Sequence, residues 1–236
     1  MNNYPSSPAM DAAQVRRLFD DSAGIYDRAE RVGSFGRGLP YRRQALARAG
    51  LSKGARVLDV ACGTGLMSRA AWQLTEGAIT LTGVDPSPGM IAHARRYLPM
   101  ECREGVAESL PVAAAEADFL MMGYALRHVR DWARAFGEFA RVLRPGGRLC
   151  LLEITRPEGR GGRAVFDFYF GLVVPLLGSV DTASAQAWRL YRYYWRTMMA
   201  ARPPADVLDA LKHAGFAEVA HTRYGGFLSE YTARRP

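Results

Sequence analysis

From Arg56 onward, short unbroken apolar runs alternate with stretches whose apolar residues recur every three or four positions. "RVLDVA" (56–61) reads as a buried strand and "LMSRAAWQLT" (66–75) as a helix. "AITLTGVD" (78–85) is a second strand, ending in Asp85, and "SPGMIAHARRYL" (87–98) is a helix opened by a Ser–Pro start. "ADFLMMGYAL" (117–126) is another apolar strand. "DWARAFGEFARVL" (131–143) is an amphipathic helix stopped by "RPGG", and "RLCLLEIT" (148–155) is a further strand. Alternation of this kind predicts a parallel sheet covered by helices on both faces.

The flanking segments follow other rhythms. Residues 1–10 read as a loose tail. Asp11 to Arg31 carries Val15, Leu18, Phe19, Ala23 and Tyr26 at helical spacing; "GSFGRGLP" breaks it, and Tyr41 to Ala49 is a second helix. Residues 163–201 are aromatic with little strand signal and are expected to form an inserted helical lid. "PPADVLDALKHAGF" is a helix with proline in its first turn. "AEVAHTRYGG" and "LSEYTARR" form a closing hairpin. The expectation is one domain: a helical lid (1–50), a core (51–160), a helical insert (161–202), and a last helix with the hairpin (203–236).

Composition narrows the function classes. With 236 residues, 49% of them hydrophobic, the protein is able to bury a full core. The net charge is +8, yet of the basic residues only Lys53 and Lys212 are lysines, and the arginines are scattered. A nucleic-acid footprint should be clustered, so no nucleic-acid partner is expected. Weak attraction to a membrane surface stays open, as does a homodimer. Three cysteines without a CxxC pattern give neither a disulfide framework nor a metal site, which fits a reducing cytosol. The longest uncharged apolar run, Phe168 to Val180, has 13 residues and contains Pro175. It falls short of the roughly 20 needed to span a bilayer.

The chemistry centres on "VLDVACGTG" (57–65). Cys62–Gly63–Thr64–Gly65 follows a strand and precedes a helix, where doubly wound sheets bind ligands. A dinucleotide would want G-x-G-x-x-G, but the third glycine position is Ser68. Asp59, four residues before Gly63, would also repel a pyrophosphate. It suits a positively charged ligand such as S-adenosylmethionine, whose ammonium and sulfonium it could compensate directly or through water. Asp85, at the end of the second strand, could accept hydrogen bonds from both ribose hydroxyls. Two bland readings compete: that Asp59 caps a turn, and that Asp85 caps the following helix.

Further stretches, "FDDSAGIYDRAERVGSFG", "GVDPSPGMIAHAR", "ALRHVRDWARAFGEFARVLRPGGRLCLLEITRP" and "VVPLLG", carry a resemblance to a known family. From about residue 15 to 235 the sequence resembles the ubiquinone/menaquinone-biosynthesis C-methyltransferases. These belong to the Rossmann-like S-adenosylmethionine-dependent methyltransferases, and the resemblance implies a seven-stranded α/β sheet. It implies cofactor contacts at Thr64 and Asp85, adenine-flanking positions at Val106 and Ala107, and a cofactor-side position at Gly123. It also implies that Tyr26 lies in a lid that closes over the cofactor and that Arg127 lies close to the substrate. The sequence departs from the family on the substrate side. His128 follows Arg127 where the family has Asn, Tyr124–Ala125 replaces Phe–Gly, and "YRYYWRTMM" and "LSEYTAR" replace two further segments.

A quinol carbon becomes nucleophilic when a neighbouring hydroxyl loses its proton, so a base near neutrality is wanted. His128 is the candidate base or orienting group. Arg127 would stabilise a phenolate or hold its loop by an ion pair. Phe166, Phe168, Tyr169, Tyr191, Tyr194 and Trp195 could line an apolar pocket for a ring or prenyl tail, and an aromatic stripe of this kind is also what a helical core would show. The expected acceptor is a quinol or phenol, with O-, N- or C-methylation in specialised metabolism as the second reading. A non-catalytic cofactor-binding protein is a third.

Overall fold

The computed structural model describes residues 10–182 and 185–236, with side chains 179–187 left out of the description. The tail expected over residues 1–10 thus lies almost wholly outside the described residues. Seven strands form one sheet: β1 (Arg56–Val60), β2 (Thr80–Asp85), β3 (Glu101–Glu104), β4 (Ala117–Gly123), β5 (Leu143–Ile154), β6 (Ala217–Tyr224) and β7 (Leu228–Arg234). Their spatial order is β3-β2-β1-β4-β5-β7-β6, parallel except for β7, which runs antiparallel to both β5 and β6. The α/β, Rossmann-like fold expected from the sequence is therefore present. β3 has four residues, of which only Cys102 is buried, which is why no apolar run announced it.

Strand alternation divides the core. Leu58, Val60, Leu120, Met122, Leu149 and Leu151 face one side, where they meet α5 (Trp132–Val142) and α9 (Pro204–His213). Val57, Phe119, Met121, Cys150 and Leu152 face the other, where they meet α2 (Gly38–Arg48), α3 (Leu66–Leu74) and α4 (Pro88–Ala94). The strand order reverses between β1 and β4, with Asp59 paired opposite Met121. That reversal opens a crevice at the carboxyl ends of these strands, and both "VLDVACGTG" and Gly123 end there.

The lid is a third layer. α1 (Ala12–Gly33) starts at a reciprocal cap between Asp11 and Gln14. It packs Ala29, with partly buried Leu18, Phe19 and Tyr26, against Phe166, Phe170, Val174, Leu190, Tyr191 and Met198 of the insert. The insert runs as α6 (Arg160–Phe168), a π-helical turn over Tyr169–Val173, α7 (Val174–Thr182) and α8 (Ala185–Met199). The widened turn just precedes Pro175, which has no N–H to close an ordinary α-turn. Helix therefore continues through Pro175, as the expected helical insert requires. Arg160–Gly178 becomes a 19-residue segment long and apolar enough, by length and composition, to cross a membrane. This revises the reading of a run too short to do so, although Phe166, Phe170 and Val174 bury one of its faces in the protein.

Candidate active site

The crevice is built from the turn after β1. Gly63 and Gly65 adopt φ of +55° and +84°, the left-handed region that favours glycine. No atom lies within 4 Å of where a Cβ on Gly63 would sit, so the turn presents open backbone. The Cys62 N–H donates to Val84 O at 3.1 Å, and the Gly63 N–H donates to Asp85 Oδ2 at 2.8 Å. Asp85 Oδ1 accepts from the Ser87 N–H at 2.8 Å, so Asp85 locks the glycine turn to the start of α4. Asp59 Oδ2 accepts from the Ser68 N–H at 3.1 Å and the Ser68 hydroxyl at 2.7 Å, whereas its buried Oδ1 has no partner. Ser68 thus stands where a dinucleotide site would need glycine, and it uses its hydroxyl to hold Asp59.

Neither of these two carboxylates has a cationic partner among the described residues. Asp59 is fully buried and Asp85 is 6% exposed. Burial pushes Asp59 up to about 7 against the two hydrogen bonds from Ser68, and pushes Asp85 up to about 6. Other buried acids at the strand ends are neutralised. Glu153 pairs with Arg127, and Glu230 takes Arg48 bidentately at 2.5 and 3.2 Å. A charge buried without a partner costs several kcal/mol, so it points to a missing cation. A cofactor with an ammonium group would supply such a cation, and the orphaned Asp59 Oδ1 could accept from it.

The remaining expected cofactor positions border this crevice. Val106 and Ala107 follow Gly105, whose N–H donates to Asp85 O at 3.2 Å. A Cβ on Gly123, at the end of β4, would come within 2.5 Å of Met67 Cγ, so any side chain there would have to displace Met67. Thr64 is buried, and its hydroxyl donates to Asp27 of α1.

Asp27, Asp20 and Glu153 were missed by sequence reasoning. Asp27 also accepts from Arg69, and Asp20 accepts from the Ser87 hydroxyl at 2.6 Å and the Gly89 N–H at 2.9 Å. These two acids are seven residues apart, two helical turns, and so lie on one face of α1. That spacing was a readable signal. So was the acid ending the apolar run "LCLLE", which has the same form as "VLD".

Above β4 and β5 the lid brings aromatic and charged groups together. The side chain of Arg127 is 5% exposed. It donates to Glu153 and to Thr197 Oγ1 (3.2 Å), with its guanidinium 5.7 Å from the Tyr194 ring centroid. Of the two roles expected for Arg127, this is the loop-holding ion pair. Tyr26 and Tyr194 are hydrogen-bonded, and burial raises both phenols. Tyr124 holds φ +60° at the end of β4, an uncommon conformation for a bulky residue, under the Arg42 guanidinium at 4.8 Å. Arg42 is itself paired with Glu30 at 2.6 Å.

His128 Nδ1 is 2.8 Å from the Tyr193 hydroxyl, and the two rings stack at 15°. Its Nε2 is buried without a partner. Burial, and next Arg127, holds the imidazole well below its ordinary value. Tyr193 was not expected at the site: the run of tyrosines offered three candidates, and only the docking of α8 selects among them.

Three expected pocket residues lie elsewhere. Phe168 points outward and is 61% exposed, because its turn of α6 buries Phe166 and Phe170 instead. The Tyr169 hydroxyl donates to Gly33 O at 2.7 Å, fixing the end of α1. Tyr191 is buried against α1, where its hydroxyl donates to Ala29 O at 3.3 Å. Tyr169 and Tyr191 hold lid to lid, and Phe168 lines no site.

The sequence matches the ubiE/COQ5 methyltransferase family over residues 8–233. The protein belongs to that family. It is 31% identical over 233 residues to a ubiquinone/menaquinone biosynthesis C-methyltransferase UbiE of Campylobacter jejuni, covering 94% of this chain and 97% of the relative. It is 34% identical over 225 residues to a demethylmenaquinone methyltransferase of Symbiobacterium thermophilum, covering 91% and 89%. A solved SAM-dependent methyltransferase of Thermotoga maritima superposes with a TM-score of 0.66 at 22% identity, over 93% of this chain and 99% of that one, and shares the fold. The protein is an S-adenosylmethionine-dependent methyltransferase, and its orphaned Asp59 Oδ1, open glycine turn and Asp85 suit that cofactor.

The buried acids and their cover lead to two expected outcomes. Asp59→Asn should stabilise the cofactor-free protein at pH 8, by up to on the order of 4 kcal/mol, because it removes the cost of ionising a carboxyl raised to about 7. That cost is full above the folded value. It fades as pH falls from about 7 toward the unfolded value near 4, so thermal melts at pH 8 and pH 4.5 should show the gain shrinking; destabilisation at pH 8 would oppose this account. Asp27 of α1 sits on Thr64 and Asp20 on Ser87, so α1 is expected to move when the cofactor enters. Hydrogen exchange over residues 11–31 should slow markedly on adding S-adenosylhomocysteine; protection equal to that of β1 with and without ligand would contradict this.

Proposed function

We propose that the protein methylates a ring carbon of a quinol or related phenolic small molecule, with His128 as the group that takes the acceptor's hydroxyl proton. The observation that carries this reading is the imidazole itself: a neutral ring above the sheet ends, one nitrogen held by Tyr193 and the other buried and unpartnered. The names of the relatives supply the substrate class: ubiquinone/menaquinone C-methylation and demethylmenaquinone methylation.

In this reading the His128 Nδ1–H donates to the Tyr193 oxygen. Burial keeps the Tyr193 phenol protonated by raising it to about 12. In that tautomer the Nε2 lone pair is free to accept a proton. Removal of that proton makes the ring carbon beside the hydroxyl nucleophilic; once that carbon is methylated, its hydrogen is lost as a proton and returns to the ring oxygen, and the proton on His128 leaves to solvent. When bound, S-adenosylmethionine supplies the methyl group. The Asp59 side holds the cofactor, while the lid from α1 and α8 excludes water and aligns the reacting atoms. Arg127 acts by position: its pair with Glu153 and its bond to Thr197 seat α8, and with it Tyr193, over His128.

A second reading, methylation of an oxygen, nitrogen or carbon on a specialised metabolite, draws on the departures at Tyr124, His128 and "YRYYWRTMM". The last contributes Tyr193, which is bonded to His128, and Tyr194. Incubation with demethylmenaquinol and with simple catechols, followed by mass spectrometry of the products, separates the two.

The proton role is tested by substitution. His128→Asn should lower turnover about 10²–10⁴-fold while leaving S-adenosylmethionine affinity near that of the parent. With the imidazole held below its ordinary value, the parent's rate should stay level from pH 8 through 6.5 and fall only in more acidic buffer, where His128 gains its proton. An Asn variant with full activity and an unchanged pH profile would reduce His128 to an orienting group.

A further inference from the structure

The Arg160–Gly178 helical segment is apolar on two faces, and the protein covers only one. Phe166, Phe170 and Val174 are buried in the lid core. Val165, Phe168, Leu172 and Leu176 are 70%, 61%, 48% and 54% exposed. Their spacing of three, four and four residues places them in one stripe along the helix.

Phe35, 64% exposed in the link between α1 and α2, extends the stripe. Its ring centroid is 5.9 Å from that of Tyr169, and Tyr169 is itself tied to Gly33. Phe35 adopts φ +49°, a costly conformation for a bulky residue, and in it the ring is presented to solvent.

Among the described residues, the unpaired charges around Phe35 and at the start of α6 have one sign. Arg31 and Arg37 flank Phe35, and Arg160 and Arg163 open α6; all four are exposed. None has an acidic partner among the described residues. The neighbouring acids are taken: Glu30 by Arg42, Asp167 by Arg156 and Glu158 by Arg223.

We propose that this face docks on an anionic lipid bilayer, the apolar stripe entering the acyl boundary and the four arginines meeting headgroup phosphates. An apolar helix face rimmed by arginines is the composition that lies in a membrane interface. A second copy of the protein fits less well, because an isologous contact would bring the same unpaired arginines together. Spanning is opposed by the buried face, which is fixed against α1 and α8. The inference goes beyond the proposed reaction and holds whichever acceptor is methylated. It would seat the mouth of the lid at the surface where apolar acceptors reside.

The test is co-sedimentation of the full-length protein with phosphatidylglycerol/phosphatidylethanolamine vesicles and with phosphatidylcholine vesicles. The parent should partition onto the anionic vesicles, less so at high salt, and poorly onto the neutral ones. Leu172→Ser/Leu176→Ser should lower partitioning about tenfold or more. Arg160→Gln/Arg163→Gln should lower it and flatten its salt dependence. S-adenosylhomocysteine affinity, read by calorimetry, should be unchanged in each variant, which shows that it folds. Should the double serine variant not fold, Phe35→Ser, on an exposed link, should still reduce partitioning. Absence of parental binding to anionic vesicles at low salt would overturn the proposal. So would equal binding by all variants, or a parental dimer in sedimentation velocity that the stripe variants dissolve.

Discussion

The rest of the site depends on the burial of two carboxylates with no cation beside them. Asp59 and Asp85 close adjacent parallel strands, and each is held by backbone N–H groups rather than by arginine. Those N–H groups are available because the backbone leaves each strand by a sharp turn into a helix. The arrangement is destabilising for the protein alone and suited to a cofactor with an ammonium group and ribose hydroxyls. Glu153 and Glu230 show the alternative within the same sheet: acids at comparable depth with arginines, which serve structure.

The lid follows from this. α1 carries two acids of its own, Asp27 on Thr64 and Asp20 on Ser87, so the middle of the helix is latched to both loops by hydrogen bonds. Hydrogen bonds to carboxylates are worth about 1.5–3 kcal/mol each, enough to favour closure and weak enough to open for a ligand. The aromatic half of the lid is heavier. Phe19 lies 5.7 Å from His128 and 5.9 Å from Tyr193, so one α1 side chain packs directly on the proposed proton-accepting pair. In the proposed mechanism, cofactor cover and acceptor site would therefore share a single helix, coupling water exclusion to cofactor closure.

Much of this was legible in the sequence because it lies in local pattern. The period of the apolar residues specified the parallel core, and an acid inside "VLDVACGTG" specified a cationic ligand before any strand order was known. β3 escaped because a short edge strand buries too little to leave an apolar run. The lid aromatics escaped for another reason. Phe168, Tyr169, Tyr191, Tyr193 and Tyr194 are chemically alike, and which of them faces His128, α1 or solvent depends on helix rotation and on a π-helical turn before Pro175 that shifts the register. Long-range partners such as Glu153 for Arg127 and Asp27 for Thr64 join residues 26 and 37 positions apart, which periodicity does not address.

The most direct test of the central claim is the proton balance of cofactor binding. A carboxyl buried near pKa 7 is about half protonated at pH 7, and an ammonium placed against it forces ionisation. Calorimetric titration of S-adenosylmethionine at pH 7, in buffers of differing ionisation enthalpy, should show release of roughly half a proton per site. The release should be lost in Asp59→Asn. Proton uptake at pH 7, or the same release in the Asn variant, would contradict the account.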